Sequence, residues 1–256
     1  MSEAQFPGKI VVKSAREQVT EYVADLLESI VSEAVAKRGL CSMALAGGTT
    51  PHALYRLLAG RVAGGRTPWQ DVDIYFGDER DVPHDHVESN FHMAQRTLLD
   101  HVPVDPGRVY PMPADYGDDL KAAARRYEQL IHEKVPAGNS GIPGFDLILL
   151  GVGGDGHTAS LFPFTDALDE TERLVVSHFV PVLGRRRMTF TFPLINAARN
   201  VVVLVTGEDK AETVAALLGY DREARHRLPI ARAHPADGNL VMAVDAAAAR
   251  MTGLKV

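Results

Sequence analysis

The most constraining feature of this sequence is a set of short segments in which nearly every residue is apolar. Four of them are spaced along the chain: CSMALA (41–46), VDIYFG (72–77), FDLILLGV (145–152) and NVVVLVTG (200–207). A strand with one buried face alternates apolar and polar residues, whereas a strand covered on both faces is apolar throughout. These four segments are therefore predicted to be strands of a mostly parallel sheet that is buried between helices.

Helical patterns separate the predicted strands. After a short predicted strand, KIVV (9–12), residues 14–39 carry an apolar stripe at helical spacing, with Ser14 as the predicted N-cap and Gly39 at the end. Further helical segments are PHALYRLLAG (51–60), SNFHMAQRTLLDHV (89–102), GDDLKAAARRYEQLIHEKV (117–135) and EDKAETVAALLG (208–219). The alternation predicts an α/β protein with three α/β/α layers and a mostly parallel, Rossmann-like sheet, in a single domain over residues 1–256.

One strand-like segment has a different pattern. RMTFTF (187–192) alternates apolar and polar residues, which is typical of a strand with one face exposed. We therefore predict a half-exposed strand near the margin of the sheet.

Charge and composition exclude several classes of partner. The formal net charge is −6, so the chain as a whole has no electrostatic attraction to nucleic acid or to an anionic membrane. We expect neither partner. The single cysteine, Cys41, begins an apolar run and is predicted to fill core space. Since the first residues lack signal-peptide features and no apolar run reaches about 18 residues, we expect a cytoplasmic protein.

The segment GVGGDG (151–156) has the glycine spacing of a dinucleotide-binding turn. Such a turn must lead into a full helix and then into a second strand that ends in an acidic residue. Here Pro163 interrupts the chain soon after Gly156, and the acidic residues between 166 and 172 precede the next strand-like run instead of closing it. The order does not fit a nicotinamide site, and we expect no cofactor.

The same glycines lead to His157. Glycine-rich backbone at the carboxyl end of a strand can approach a ligand closely, and this end is the usual ligand edge of an open α/β sheet. An imidazole there can act as a general base near neutral pH, and Asp155, two residues earlier, can fix its tautomer. The alternative is a surface histidine in a turn.

A second predicted strand end is rich in backbone donors and hydroxyls. Gly47 and Gly48 follow a buried strand, Thr49 and Thr50 supply hydroxyls, and a helix begins near Pro51. Free N–H groups at a helix start predict a phosphate cradle without net positive charge. No Gly-Lys-Ser/Thr follows, so a nucleoside triphosphate is not expected. The alternative is a plain strand-to-helix turn.

A third strand end carries charges. Asp78, Glu79, Arg80 and Asp81 follow in succession, which is costly in a core unless the charges are paired or solvated. Arg80 is a forked donor that suits a phosphate or a developing oxyanion; a salt-bridged surface loop is the alternative. Three nearby histidines lack both cysteine partners and the H-E-x-x-H spacing, so no metal site is predicted: His84, His86 and His92.

With these motifs, the chain resembles the 6-phosphogluconolactonases within the glucosamine-6-phosphate isomerase/6-phosphogluconolactonase family. The resemblance covers nearly the whole length and rests on AGGTTP, FGDERDVPHDHVESN, FDLILLGVGGDGHTASLFP and RMTFTFPLINAARNVVVLVTGEDKA. Ala46 and Thr49 depart from the usual Ser-Gly-Gly-Ser-Thr-Pro, which removes one hydroxyl and keeps another. The resemblance implies a fold like glucosamine-6-phosphate deaminase and ribose-5-phosphate isomerase. It also implies hydrolysis of 6-phospho-D-glucono-1,5-lactone to 6-phospho-D-gluconate, the second step of the oxidative pentose phosphate pathway.

The resemblance also implies roles for single residues. His157 is implied as the catalytic base, and Arg187 and Lys210 as phosphate-binding cations. Arg80 is implied either to bind phosphate or to stabilise the carbonyl oxygen, and Asp78 is placed at the substrate without a decision between a catalytic and a structural role. We expect a small sugar phosphate lactone as the partner and a monomer or weak homo-oligomer as the state.

Two other functions are weighed against lactone hydrolysis. The related deaminase-isomerases have a glutamate five residues beyond the histidine and a tyrosine after the Asp-Glu pair, where this chain has Phe162 and Arg80. These differences favour ester hydrolysis. A sugar-phosphate sensor with the same fold would normally carry a DNA-binding helical module, for which this chain has no spare segment or basic patch.

Overall fold

The computed structural model describes residues 6–65, 67–113, 119–219 and 221–256. Within these residues the strands are β1 (Lys9–Lys13), β2 (Cys41–Leu45), β3 (Val72–Phe76), β4 (Asp78–Arg80), β5 (Leu147–Gly151), β6 (Val175–Val180), β7 (Arg185–Phe190), β8 (Asn200–Val205) and β9 (Asn239–Asp245). The α-helices are α1 (Arg16–Arg38), α2 (Thr49–Gly60), α3 (Asn90–Thr97), α4 (Leu120–Lys134), α5 (Phe192–Asn196), α6 (Ala211–Leu218), α7 (Arg222–His226) and α8 (Ala246–Ala249). Short 3-10 turns lie between several of these elements.

Six strands form one parallel sheet in the order β1-β9-β8-β5-β2-β3. All four segments predicted as buried strands belong to it, and β2 and β3 are buried at every residue. The prediction of a mostly parallel sheet is confirmed. From β2 the chain moves to β3 on one side, whereas β5, β8 and β9 follow on the other side, so the direction of winding reverses between β2 and β5.

This reversal distributes the helices over the two faces of the sheet. The crossovers from β1 to β2 and from β2 to β3 run in one direction, and the crossover from β8 to β9 runs in the other. Because such crossovers are right-handed, α1 and α2 lie on one face and α6 on the opposite face. The contacts agree, since α1 packs on α2 and α2 on α3, while α6 packs on α8. The sheet thus lies between two helical layers, as predicted.

A second sheet corrects the prediction for residues 187–192. Strand β7 pairs antiparallel with β4 and β6 and is the middle strand of this three-stranded sheet, not a margin of the large one. Thr189 breaks the apolar pattern but is fully buried. Its hydroxyl accepts a hydrogen bond from Ser160 N–H (3.1 Å) and donates to the Phe190 carbonyl (3.0 Å). A satisfied hydroxyl can be buried at little cost, so alternation did not mean exposure.

The first helix differs from its prediction at one end. Gly39 ends α1 in a left-handed conformation (φ 75°) and donates to the Val35 carbonyl, as predicted. The N-cap, however, is Ala15, and Ser14 lies one residue outside it with its N–H bonded to Gln18 Oε1 (3.1 Å). Residues 117 and 118 of another predicted helical segment lie outside the described residues.

One apolar core joins the elements of both sheets. Buried residues of the large sheet, of β6 and β7, and of the flanking helices belong to the same cluster, and Cys41 is fully buried within it. We propose on this basis that residues 1–256 form one domain.

Candidate active site

The point where the winding reverses marks the place of the site. In open α/β sheets, ligands bind outside the carboxyl ends of the strands where neighbouring connections diverge. Here this crevice lies between the carboxyl ends of β2 and β5, with β8 beside β5. Residues 46–50, 152–157 and 206–210 follow these three strands directly. Adjacent strands are about 4.8 Å apart, so the three segments are neighbours.

His157 and Asp155 form a hydrogen-bonded pair after β5. Asp155 Oδ1 lies 2.6 Å from His157 Nδ1 and 3.0 Å from the His157 backbone nitrogen. Because a carboxylate can only accept, Nδ1 donates and Nε2 carries the lone pair. The imidazole is 31 % exposed, and Nε2 has no hydrogen-bond partner among the described residues. The pair therefore presents a basic nitrogen that solvent can reach.

Gly153 makes room for this imidazole. A Cβ at Gly153 would lie 2.0 Å from His157 Nδ1 and 2.1 Å from Cε1, far inside van der Waals contact. The turn is closed by two backbone bonds, from Gly153 N–H to the His157 carbonyl (2.9 Å) and from Gly156 N–H to the Gly153 carbonyl (3.0 Å). The second glycine of the run is thus needed for the histidine and not for a pyrophosphate.

The turn after β2 is held by a buried tyrosine. Tyr55 is fully buried, and its hydroxyl donates to the Ala46 carbonyl (2.8 Å) and accepts from Ala46 N–H (2.9 Å). Burial raises the pKa of this hydroxyl above its ordinary value. Gly48 is the N-cap of α2 with φ 101°, and no side chain caps the helix. The first N–H groups of α2 therefore remain available to an anion.

The turns after β2 and β8 meet through their hydroxyls. Thr50 Oγ1 and Thr206 Oγ1 are 3.1 Å apart. Gly207 follows with φ 105°, and its N–H is held by the carboxylate of Asp245 (3.1 Å). Lys210 comes three residues later, partly buried, with Nζ 3.0 Å from Asp209 Oδ2. These contacts bring a lysine to the same region as the glycine-threonine turn.

A buried network connects the turn after β2 to the histidine loop. Asp78 Oδ2 accepts from Ser160 Oγ (2.7 Å), and its Oδ1 accepts from Asn90 Nδ2 (3.1 Å). Asn90 Oδ1 lies 1.9 Å from the position a Cβ would take at Gly47. Gly47, Asn90, Asp78 and Ser160 thus form a continuous chain of contacts that ends three residues from His157. Asp78 is 7 % exposed, so these bonds support a positioning role for it.

The neighbouring Glu79 explains how a charge can be fully buried here. Its carboxylate accepts from the backbone N–H groups of Arg80 (2.8 Å), Asn90 (2.8 Å) and Phe91 (2.9 Å), and from the Ser89 hydroxyl (3.0 Å). Three of these donors belong to the start of α3. A carboxylate at a helix N-terminus is favoured by the free N–H groups and the helix dipole.

Arg80 and Arg187 lie directly opposite each other on β4 and β7. Neither forms a salt bridge within the described residues; Arg80 donates to the Glu88 carbonyl and Arg187 to the Arg186 carbonyl. Burial and the positive charge of Arg80 lower the pKa of the Arg187 guanidinium from its ordinary value. Like charges opposite each other in a sheet are destabilising, so the pair favours binding of an anion.

The structure brings the predicted site residues together in two groups, which the Asn90–Asp78–Ser160 network connects, and in a pair of arginines. Asp155 and His157 form the first. The second contains the turn Gly47–Thr50, which contacts Thr206 near Lys210 and, through Asn90, reaches Asp78. Arg80 and Arg187 are adjacent to each other, and Arg80 is two residues from Asp78. No hydrogen bond joins Lys210 to Arg187 or His157 in the described part of the chain.

Several residues of the site were not predicted: Asn90, Ser160, Thr189 and Thr206. For Thr206 a signal existed, because a hydroxyl and a glycine follow a buried strand there, as glycines and hydroxyls in the opposite order follow β2. Asn90 and Ser160 gave no such signal, since they act through contacts with residues distant in sequence.

Two of the three histidines predicted not to form a metal site have separate partners. His84 Nε2 lies 2.7 Å from the Met112 carbonyl oxygen, and His86 Nδ1 lies 3.9 Å from Glu88 Oε2. Over residues 6–65, 67–113, 119–219 and 221–256, no three His, Cys, Asp or Glu side chains are grouped to hold a metal ion. None of the helices in this part of the chain combines the length with the apolar composition that a membrane span requires.

Comparison with known proteins gives the family. A sequence profile described as glucosamine-6-phosphate isomerases/6-phosphogluconolactonase matches residues 14–242. A 6-phosphogluconolactonase of Streptomyces coelicolor is 42 % identical over 215 residues, 82 % of each chain. The solved 6-phosphogluconolactonase from Trypanosoma cruzi has a TM-score of 0.83 at 27 % identity and covers 99 % of this chain and 100 % of its own.

A structure described as a monomeric glucosamine-6-phosphate deaminase has a TM-score of 0.76 at 24 % identity, covering 95 % of this chain and 99 % of its own. This likeness confirms the predicted fold class, which lactonases and deaminases share. With a profile match over residues 14–242 and a relative that is 42 % identical over 82 % of each chain, the chain belongs to the glucosamine-6-phosphate isomerase/6-phosphogluconolactonase family.

Proposed function

We propose that this protein is a 6-phosphogluconolactonase, which hydrolyses 6-phospho-D-glucono-1,5-lactone to 6-phospho-D-gluconate in the pentose phosphate pathway. The observation that carries the proposal is the His157–Asp155 pair (2.6 Å), with Nε2 accessible, at the point where the sheet reverses its winding. The named relatives support the same substrate. His157 acts as the general base, and water is the nucleophile.

The phosphate end of the substrate binds at the turn Gly47–Thr50. The uncapped start of α2 offers backbone N–H groups, and Thr49 and Thr50 add hydroxyls. Lys210 and Arg187 supply positive charge, which the chain as a whole lacks at a net charge of −6. Anchoring energy from this remote group orients the ester at the reacting end.

The reaction at the lactone carbonyl follows from the state of the imidazole. His157 Nε2 removes a proton from a water molecule while the water oxygen bonds to C1, and the carbonyl oxygen becomes an oxyanion. The intermediate then breaks the bond from C1 to the ring oxygen, which takes the proton from the imidazolium as it leaves. Asp155 keeps Nδ1 protonated throughout, and a base positioned in this way contributes about 10²–10⁴-fold.

The oxyanion requires donors near the carbonyl. Backbone N–H groups of the glycine-rich loop or the guanidinium of Arg80 can serve, and losing one such donor typically costs about 3–4 kcal/mol. The adjacent positions of Arg80 and Arg187 support two arrangements. In the first, Arg80 contacts the carbonyl oxygen. In the second, Arg80 and Arg187 both contact the phosphate. A covalent intermediate is not required, because a lactone is already a reactive ester.

Isomerisation with deamination of glucosamine 6-phosphate is the alternative that the fold alone permits. In the related deaminase-isomerases a glutamate five residues beyond the histidine supports that reaction. In this chain the position is Phe162, whose ring lies against the imidazole with the centroids 4.0 Å apart. An apolar ring at this place supports hydrolysis over proton transfer between carbons.

A two-substrate assay tests the proposal. The protein is mixed with 6-phosphogluconolactone generated immediately before use, and product formation is followed by a coupled dehydrogenase after subtraction of spontaneous hydrolysis. A parallel reaction contains glucosamine 6-phosphate, with release of ammonia measured. We expect turnover of the lactone and no ammonia. Ammonia release would favour the deaminase, and binding of either sugar phosphate without turnover would favour a sensor.

A further inference from the structure

We infer that Phe162 is a positioning residue that holds the imidazole of His157 in its reactive orientation. The inference deepens the proposed function and rests on it, since it concerns the residue proposed as the base. Phe162 and His157 are stacked, with ring centroids 4.0 Å apart and planes inclined by 20°. Such an arrangement leaves the imidazole little freedom to tilt on the side that the phenyl ring covers.

The burial of Phe162 is unusual for a phenylalanine in this protein. Its side chain is only 6 % exposed, yet it does not belong to the main apolar core that contains the neighbouring Leu161. The ring contact that the structure gives for it is the imidazole of His157, with the centroids 4.0 Å apart. Part of the burial of Phe162 therefore comes from the histidine loop.

The backbone between the two rings is folded to bring them together. A tight turn joins Thr158 and Leu161, closed by a bond from Leu161 N–H to the Thr158 carbonyl (2.9 Å). Ala159 within this turn has φ 48°, a left-handed conformation that is unfavourable for a non-glycine residue. After the turn, the Thr165 hydroxyl donates to the Phe162 carbonyl (2.8 Å) and fixes its backbone. Strain of this kind persists where the surrounding structure requires it.

Three constraints then define the orientation of the base. Asp155 holds Nδ1, the backbone of Gly153 lies against the Nδ1–Cε1 edge, and Phe162 covers a face of the ring. Nε2 is the nitrogen left for substrate. Since a hydrogen bond alone permits rotation about its axis, the stacked ring supplies the constraint that the carboxylate does not.

The test compares Phe162→Leu with Phe192→Leu. Both replace a buried phenyl ring by a smaller apolar side chain, but Phe192 packs in the main core beneath Arg232 and lies outside the site. For Phe162→Leu we expect kcat on 6-phosphogluconolactone to fall about 10- to 100-fold with KM nearly unchanged, because misplacing a reacting group by about 1 Å costs on this order. Phe192→Leu should lower thermal stability and keep kcat.

Further measurements separate positioning from other effects. A geometric loss of kcat persists at every pH on the activity plateau, so recovery at higher pH would overturn the inference. Phe162→Tyr, which keeps an aromatic face, should restore most of kcat; if Phe162→Leu does not fold, Phe162→Met replaces it. Equal losses of kcat in Phe162→Leu and Phe192→Leu would also overturn the inference.

Imidazole ¹⁵N spectra supply a readout that needs no turnover. The wild-type protein should show a protected His157 Nδ1–H, and Phe162→Leu should show faster exchange of this proton with solvent. An unchanged spectrum contradicts the role of Phe162 even if the protein proves inactive. Absence of lactone turnover in the wild type, with the spectral difference present, instead contradicts the proposed function and leaves the positioning of His157 by Phe162 supported.

Discussion

Replacement of Gly153 by alanine places a single methyl group against the proposed base. The new Cβ would lie 2.0 Å from His157 Nδ1 and 2.1 Å from Cε1, whereas ordinary contact begins at 3.4 Å. The imidazole must therefore move by about 1.4 Å, which breaks its 2.6 Å bond to Asp155 Oδ1. Because a displacement of about 1 Å costs on the order of 10²-fold in rate, we expect kcat of Gly153→Ala to fall by about 10²-fold or more.

KM should respond differently from kcat. Phosphate binding is proposed at the turn Gly47–Thr50, which the methyl group at Gly153 does not touch, so KM for 6-phosphogluconolactone should change less than about threefold if ground-state binding is intact. Steady-state kinetics near pH 7 with freshly generated lactone measure both constants. Circular dichroism and thermal unfolding establish that the variant is folded.

Gly60→Ala is the matched control. Gly60 ends α2 outside the site, and no atom lies within 4 Å of the position that its Cβ would take. This variant should retain wild-type kcat. A folded Gly153→Ala protein with kcat close to that of the wild type would mean that the orientation of His157 seen here is not the reactive one.

Three further predictions concern the anion site, the turn after β2 and the second sheet. Lys210→Ala and Arg187→Ala should each raise KM for 6-phosphogluconolactone with little effect on unphosphorylated gluconolactone; kinetics on the two substrates check this, and equal losses on both would argue against phosphate binding. Tyr55→Phe should lower the free energy of unfolding in urea by about 1–3 kcal/mol, because the Ala46 N–H and carbonyl lose their buried partner; no change would show that water replaces the hydroxyl. In the folded protein, burial lowers the pKa of His178 from its ordinary 6.5. Below pH 6.5 the unfolded chain therefore binds more protons than the folded protein, and the free energy of unfolding falls as the pH decreases. Above pH 6.5 the imidazole is neutral in both states, and this loss of stability is absent. Urea unfolding between pH 5 and about 7.5 should therefore show a steeper pH dependence for the wild type than for His178→Gln, and parallel curves would contradict this assignment.

The parallel sheet could be predicted because burial on both faces leaves a local mark in the sequence. Segments such as CSMALA and FDLILLGV are apolar at nearly every position, and each forms the strand expected. The second sheet left no such mark. Its strand β4 has only three residues. In β7, the polar Thr189 has the sequence pattern of an exposed position, although it is buried with its hydroxyl hydrogen-bonded.

The residues of the candidate site show the same difference between features with a local sequence signal and features without one. Glycines, hydroxyls and a histidine at strand ends indicated the regions around Gly47 and His157, because the carboxyl ends of parallel strands meet at one edge. The contact between Asp78 and Ser160 could not be predicted, since these residues are 82 positions apart. The adjacency of Arg80 and Arg187 depends on the register of two strands that are distant in the chain. Such contacts are set by packing and not by any local pattern.

The central claim is that His157 takes a proton from water at the lactone carbonyl. The most direct test is the turnover of freshly generated 6-phosphogluconolactone by purified His157→Ala, corrected for spontaneous hydrolysis. We expect a folded protein whose kcat is lower than that of the wild type by about 10²–10⁴-fold. A folded His157→Ala protein that hydrolyses the lactone at a near-normal rate would show that His157 is not the base.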